Sequence, residues 1–238
     1  MTASGETLIP KEMPGIIREI LKEGHFVNIT TNGTITKQFT SLMNEIKGYE
    51  DHLHISFSLH YIELKKKNLV EVFFNNIKLV HSQGCSILVQ INLADEYLPY
   101  WDEIKRICIE NIGAAPQVAL TRTEINGTYE LFSELSWDEY IAKGREMESP
   151  LFEFTCNNFM KKHTEYCYAG YWSAKLNLGT GEMTGCYGAG IHQNIFENIS
   201  KPIKWEPIGH RCPFKYCINS SHFISQGIMP DLKNIPSY

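Results

Sequence analysis

The 238 residues contain no apolar run approaching the ~18 residues that span a bilayer, so no membrane helix is expected. The first residues, Met1-Thr-Ala-Ser-Gly-Glu, carry neither a basic nor an apolar stretch. No secretory signal is visible, and a cytoplasmic chain is expected. Positive charge is scarce: 22 Lys and Arg stand against 27 Asp and Glu, a formal net charge of −5. That balance excludes the basic stripe of a non-specific nucleic-acid binder. Walker-type glycine loops, low-complexity tracts and paired C-x-x-C knuckles are all missing.

Apolar residues make up 43% of the chain and charged residues 21%, which rules out disorder and suffices for one large core or two modest ones. Seven cysteines without an export signal point away from a disulfide framework, toward metal, redox or core use. Cys85 and Cys108 stand alone in the first 155 residues, whereas Cys156, Cys167, Cys186, Cys212 and Cys217 fall in the last 83. The shift predicts two parts, residues 1–148 and 149–238.

Over the first part, strands and helices alternate. A strand stub at Thr2 to Ser4 precedes a helix over Lys11 to Lys22, with Ile16, Ile17, Ile20 and Leu21 on one face. Strands are predicted over His25 to Thr31, Leu53 to Ser58, Ser86 to Leu93 and Gln117 to Thr121. Helices are predicted over Gln38 to Ile46, Asn68 to Val80 and Tyr100 to Asn111, with Gly113 as the last one's stop. The run Lys65-Lys66-Lys67 reads as a solvated helix start. Strand starts near residues 2, 25, 53, 86 and 117 recur at the ~30-residue step of a βα unit. Periodicity alone fits a parallel barrel or an open doubly wound sheet.

Asn126-Gly127 then signals a turn, and Ser136 with Glu139 has capping-box spacing for a short helix to about Met147. From Pro150 the chain is rich in aromatics, Gly and Cys, and regular periodicity is lost. Ser173 to Leu178, the turn Gly179-Thr-Gly181, and Glu182 to Cys186 read as a hairpin that brings Cys167 and Cys186 together. Cys212 and Cys217 form a short loop pair. Four such thiolates can close a tetrahedral sulfur cage, for zinc or for an iron–sulfur cluster. Cys85, Cys108 and Cys156 read instead as small core hydrophobes. His163, His192 and His210, among the cysteines, read as exposed or hydrogen-bonded side chains. Tyr168, Tyr171 and Trp172 are expected to pack around the hairpin.

Ser4-Gly5-Glu6-Thr7 follows the strand stub, where a glycine lets backbone approach a ligand and a carboxylate can bind an amine. Thr31-Asn32-Gly33 ends the next strand, and Ser58-Leu59-His60 ends the one after. With the pattern C-x13-G-x4-C from Cys167 to Cys186, the chain resembles the radical S-adenosylmethionine superfamily, with a C-terminal extension of the SPASM/twitch type. The resemblance covers nearly the whole chain. Ser4 stands in place of the first Gly of the family's Gly-Gly-Glu-Pro motif, and Thr7 in place of its Pro. The defining C-x3-C-x2-C motif is not among these residues.

The resemblance implies an α/β fold: a partial (β/α) TIM-like barrel of parallel strands lacking its first βα unit, then a small Cys-rich domain containing the hairpin. It implies an N-terminally truncated member, inactive alone. In an intact relative, an iron–sulfur cluster cleaves S-adenosylmethionine to start radical oxidoreductase chemistry. Gly5 and Glu6 would hold the methionyl amine, with Glu6 as the charged acceptor. Ser58 would lie near the ribose or carboxylate, and Asn32 and Asn92 on the cofactor side. Cys167, Cys186, Cys212 and Cys217 would ligate one auxiliary [4Fe–4S] cluster. Expected partners are a peptide or protein substrate and an electron donor. The rival readings are an α/β protein with a structural zinc site of four cysteines, and a degenerate partner subunit of a complete radical enzyme.

Overall fold

The structure, a computed structural model, describes residues 5–125, 128–162, 164–186 and 189–217. The strand stub at Thr2 to Ser4, the turn at Asn126-Gly127, and His163 lie outside the described residues. The described chain forms two compact units, one of residues 5–121 and 133–152, the other of residues 122–132 and 153–217.

The first unit runs α1 (Met13–Lys22), β1 (Val27–Thr31), α2 (Thr36–Glu45), β2 (Leu53–Ser58), α3 (Tyr61–Lys66), α4 (Val70–Ser82), β3 (Ser86–Leu93), α5 (Trp101–Ile112) and β4 (Gln117–Leu120). The four strands make one parallel sheet in the order β1-β2-β3-β4. Burial alternates along β1, β2 and β3, whereas in β4 Gln117, Val118 and Leu120 are all buried. Leu53, Ile55 and Phe57 of β2 are buried, while His54, Ser56 and Ser58 are half-exposed. In β3, Ile87, Val89, Ile91 and Leu93 are buried, and Ser86 and Asn92 are exposed. This period of two marks one apolar and one polar face, whereas parallel strands are commonly apolar on both.

The helices meet the apolar side. α1 turns Met13, Ile17 and Leu21 inward at helical spacing, with Pro14 in its first turn, where no intrahelical N–H is lost. Neighbouring helices touch in the order α1–α2, α2–α4 and α4–α5, forming one layer. At its centre Phe39 stacks on Phe57 with ring centroids 5.7 Å apart, and Phe73 meets Phe57 edge-on at 5.9 Å. Cys85 and Cys108 are buried in this unit, and burial pushes both thiols up to about 12, so they are inert core residues as read.

After β4, the strands β5 (Arg122–Ile125) and β6 (Thr128–Leu131) pair antiparallel. Helix α6 (Trp137–Arg145) opens on a capping box, Ser136 N–H donating to Glu139 Oε2 at 3.0 Å and Glu139 N–H to Ser136 Oγ at 3.4 Å. Helix α7 (Phe152–Asn158) occupies a stretch whose sequence shows no clear periodicity. In the second unit β7 (Lys175–Leu176), β8 (Glu182–Thr184) and β9 (His192–Asn194) make an antiparallel sheet in chain order. β7 and β8 are the expected hairpin, with Leu176 opposite Met183, and β9 is an addition to it.

The lysine run is corrected. Lys65 and Lys66 close α3 and Lys67 caps it, so the run ends a helix instead of starting one. Cations there are favoured by the partial negative charge of the last carbonyls. The chain then reverses at Asn68, in the left-handed region at φ 55°, and α4 begins two residues later.

Gly33 and Gly113 separate two costs of a side chain. Both have left-handed backbone, at φ +73° and +79°. A Cβ on Gly113 would meet nothing within 4 Å, but one on Gly33 would lie 2.6 Å from Phe73 Cδ2. Gly113→Ala should therefore cost about 1 kcal/mol of backbone strain, and Gly33→Ala about 2–4 kcal/mol because overpacking is added. Urea denaturation of the two variants checks the difference.

Candidate functional site

The carboxyl end of the sheet is built around Glu6. Its Oε1 accepts the Leu8 N–H at 3.0 Å and the Thr31 hydroxyl at 2.6 Å, and its Oε2 accepts the Asn32 N–H at 2.6 Å. A single carboxylate thus ties the turn after Gly5 to the end of β1. Three donors on one carboxylate make a strong junction, because charge-assisted hydrogen bonds are about twice as strong as neutral ones. Gly5 itself is exposed, with φ +105°.

The rest of the Thr31-Asn32-Gly33 turn is held just as closely. Asn32 Oδ1 accepts from the Thr34 N–H at 3.2 Å and its hydroxyl at 2.7 Å, a local turn of the kind Asn side chains favour. The buried Asn76 amide donates to the Gly33 carbonyl at 2.8 Å. Gln38 Nε2 donates to the carbonyls of Leu8 and Pro10, at 2.8 and 3.0 Å, closing the other side.

Of the sequence-predicted residues, the structure brings Gly5, Glu6 and Asn32 together. Ser58 directly follows Phe57, the strand partner of Thr31, and is half-buried on the polar face. Ser58 pairs with Gln90, and Asn92 lies two residues beyond, exposed on the same face. The Glu6 carboxylate is engaged by the protein, so an incoming amine finds it already tied to the strand end. The ends of β3 and β4 are locked by groups that the sequence did not single out. The hydroxyls of Thr121 and Tyr140 donate to the Leu93 carbonyl at 2.9 and 2.8 Å. Thr121 and Tyr140 are 28 and 47 residues from Leu93, beyond any local pattern.

The second cluster is the cysteines. Residues 167–170 pair with 206–209: Gly209 N–H donates to the Cys167 carbonyl at 2.8 Å, Cys167 N–H to the Gly209 carbonyl at 3.2 Å, and Ile208 N–H to the Ala169 carbonyl at 3.0 Å. This pairing carries Cys212 toward Cys167. Cys186 follows β8 and packs on the small core of Cys167, Ala169 and Ile208. Burial pushes the Cys167 thiol up, and the nearby Cys186 and Cys212 push it further. Cys186 therefore packs beside Cys167, and Cys212 lies close enough to act on its thiol. Cys217 is half-buried on the loop after Cys212, and Cys156 lies in α7. Among the described residues, no three Cys, His, Asp or Glu side chains already stand as a set able to hold a metal ion.

Aromatic residues flank this core differently from expectation. Trp172 stacks on Tyr168 with centroids 4.1 Å apart and planes 7° from parallel, yet Trp172 is 56% and Tyr171 58% exposed. The Trp172 side of the stack is exposed among the described residues, and Tyr168 is half-buried. His210 meets Tyr166 edge-on at 5.4 Å, and His192 is exposed, 4.0 Å from Glu182.

Two measurements probe the sheet. Glu6→Gln should lower stability by about 2 kcal/mol, since an amide oxygen cannot serve all three donors and its NH2 faces N–H groups. Thermal unfolding reads this loss. The second measurement concerns His54, which lies on the polar face with Nδ1 2.9 Å from Ser86 Oγ. Burial holds its imidazole below the usual 6.5. The folded state therefore binds the proton less readily than the unfolded one. His54 costs nothing above pH 6.5 and destabilises as pH falls below it, through the folded-state value. His54→Gln should flatten the stability profile between pH 6.5 and the acid limb, as followed by denaturation at stepped pH.

No protein-family model matches the chain, and no curated protein matches it either.

Proposed function

We propose that the first unit is the wall of a radical S-adenosylmethionine barrel and that the second is its auxiliary-cluster unit. The sheet carries this reading. Four parallel strands pair in chain order, one helix layer covers their apolar side, and the other side is mainly polar, with Leu88 and Ala119 among its residues. Right-handed crossovers between strands added in one direction all fall on one side, as they do around a barrel. A doubly wound sheet reverses its order and covers both faces. A barrel interior also accounts for the polar alternation of Asn28, His54, Ser56, Ser58, Gln90 and Asn92, which suits a wet ligand cavity better than a packed core.

In this reading S-adenosylmethionine lies across the carboxyl ends of the strands. Backbone at Gly5 and Glu6 faces its methionyl amine, Ser58 its ribose or carboxylate, and Asn32 and Asn92 border the same end. The Glu6 carboxylate acts by fixing the turn to Thr31 and Asn32. The thiols of Cys167, Cys186 and Cys212, with Cys217 on the adjoining loop, are a soft donor set suited to iron–sulfur or zinc. An auxiliary [4Fe–4S] cluster held there supplies electron transfer or a substrate ligand. These 238 residues hold no C-x3-C-x2-C triplet for the cluster that cleaves the cofactor. A peptide or protein substrate and an electron donor complete the proposal.

Anaerobic reconstitution of the full chain with iron and sulfide tests the second unit. The expected product is brown, absorbs broadly near ~400 nm, and binds about four irons. Cys167→Ala, Cys186→Ala and Cys212→Ala should each lose it, and Cys85→Ala should keep it. A colourless protein with one zinc would instead favour the structural zinc site, and a protein that binds neither would overturn both. Calorimetric titration with S-adenosylmethionine tests the first unit. Binding weakened about tenfold by Ser58→Ala supports the barrel reading, and no heat of binding sinks it.

A further inference from the structure

Cys167 and Cys186 come from separate stretches of the chain, and the backbone holds them together. Cys167 and Ala169 pair with Gly209 and Ile208. The backbones of Gly170 and Gly185 touch, so that a Cβ on Gly170 would lie 3.3 Å from Gly185 Cα. Glycine at both positions leaves no side chain between the two segments. Cys186 follows directly and is pinned on both sides. Its N–H donates to the Ala189 carbonyl at 2.9 Å, and its carbonyl accepts the Thr184 hydroxyl at 2.8 Å. Cys186 then packs on the core that contains Cys167. The two thiols differ in access, for Cys167 is buried and Cys186 only half-buried. Burial pushes the Cys167 thiol up, and the Ala169 N–H bonded to its sulfur offsets part of this.

We propose that Cys167 and Cys186 are an oxidative modification site: in the metal-free chain they form a reversible disulfide with one another, driven by a small disulfide of the oxidised-glutathione class. The proposal rests on the reading of the second unit as a thiolate site and adds its regulation, since the same two sulfurs bind either a metal or each other. Thiol–disulfide exchange takes two steps. The more accessible Cys186 thiolate attacks one sulfur of the small disulfide, whose S–S bond breaks, and one glutathione thiolate leaves. The Cys167 thiolate then attacks the Cys186 sulfur, and the second glutathione leaves. In sum two protein thiols lose two electrons and two protons, and the small disulfide takes them up as two free thiols. The buried Cys167 reacts slowly with a solute, but its place beside Cys186 makes the second step intramolecular. A disulfide sulfur has no thiolate charge to give a metal, so the oxidised pair takes two soft donors out of the set. A cross-link at this core also holds the second unit together while no metal does. Cys85 and Cys108 stay reduced, because both are buried in the first unit with their thiols pushed up to about 12.

The test uses the full chain, metal-free and reduced, then equilibrated with oxidised glutathione. Remaining thiols are blocked, and the protein is digested with trypsin without reductant. Trypsin places Cys167, Cys186, Cys212 and Cys217 on four separate peptides, so mass spectrometry reads every linkage directly. The expected product joins the Cys167 peptide to the Cys186 peptide, two hydrogens lighter than their sum, and dithiothreitol separates them. Cys186→Ser should abolish this product, and Cys212→Ser should leave it. Cys167 linked to Cys212 instead, or Cys167 and Cys186 both still reduced or merely capped by glutathione, would overturn the proposal. Zinc alone then probes the regulation. The reduced chain should bind it, the oxidised chain should bind at least about tenfold more weakly, and dithiothreitol should restore the affinity. Equal zinc affinity in the two forms overturns the regulation. Zinc on neither form sinks the thiolate-site reading and the regulation with it, whereas the linked peptides are read without any metal, so the two failures are told apart.

Discussion

A parallel sheet whose strands pair in chain order obliges its right-handed crossovers to one side, and the first unit follows from that constraint. With α1, α2, α4 and α5 in one layer, only one face of each strand needs to be apolar. The other is released from packing and carries Asn28, His54, Ser58, Gln90 and Asn92. The strand sequences record this as a period of two, where a sheet buried on both faces would show continuous apolar runs. Polar groups along that face are the consequence, and Ser58 and Asn92 stand on it.

The carboxyl end is organised more rigidly than a loop region needs to be. Glu6, Thr31, Asn32, Thr34, Gln38 and Asn76 saturate one another across two turns. Phe73 presses against Gly33, where a Cβ would stand. Ordering these groups beforehand lowers the entropy that a ligand would otherwise lose on binding. At the amino end Phe26 is exposed and lies against His52, with ring centroids 4.4 Å apart. Each end thus holds one buried polar atom without a partner among the described residues, Thr7 Oγ1 beside Glu6 and His52 Nδ1 at the amino end.

Among the described residues, the second unit buries few apolar side chains. The described part of its core is Cys167, Ala169 and Ile208, with Cys186 and Ala189 against it and Met183 buried in β8. Small domains commonly add a metal or another cross-link to the stabilisation that such a core supplies. Cys167 lies in that core and Cys186 packs against it, so two thiols stand where such a link could form.

What the sequence determined by itself is what local pattern can carry. The strands Leu53–Ser58 and Ser86–Leu93, the capping box at Ser136, the stop at Gly113 and the β7–β8 hairpin are each written in fewer than a dozen neighbouring residues. The buried, inert state of Cys85 and Cys108 was legible for the same reason, since each sits in an apolar periodic run. Other features needed the third dimension. The grip of Glu6 on Thr31 and Asn32 spans 25 and 26 residues, and the pairing of Cys167 with Gly209 spans a whole unit. α7 and β9 are held by packing and pairing, without a periodicity of their own. Lys65 to Lys67 close a helix because the chain reverses at Asn68, a backbone state that residue type alone does not specify. Local propensity decides which segments become strands and helices, but which polar groups meet at the strand ends is decided by strand register and by the side on which the crossovers fall.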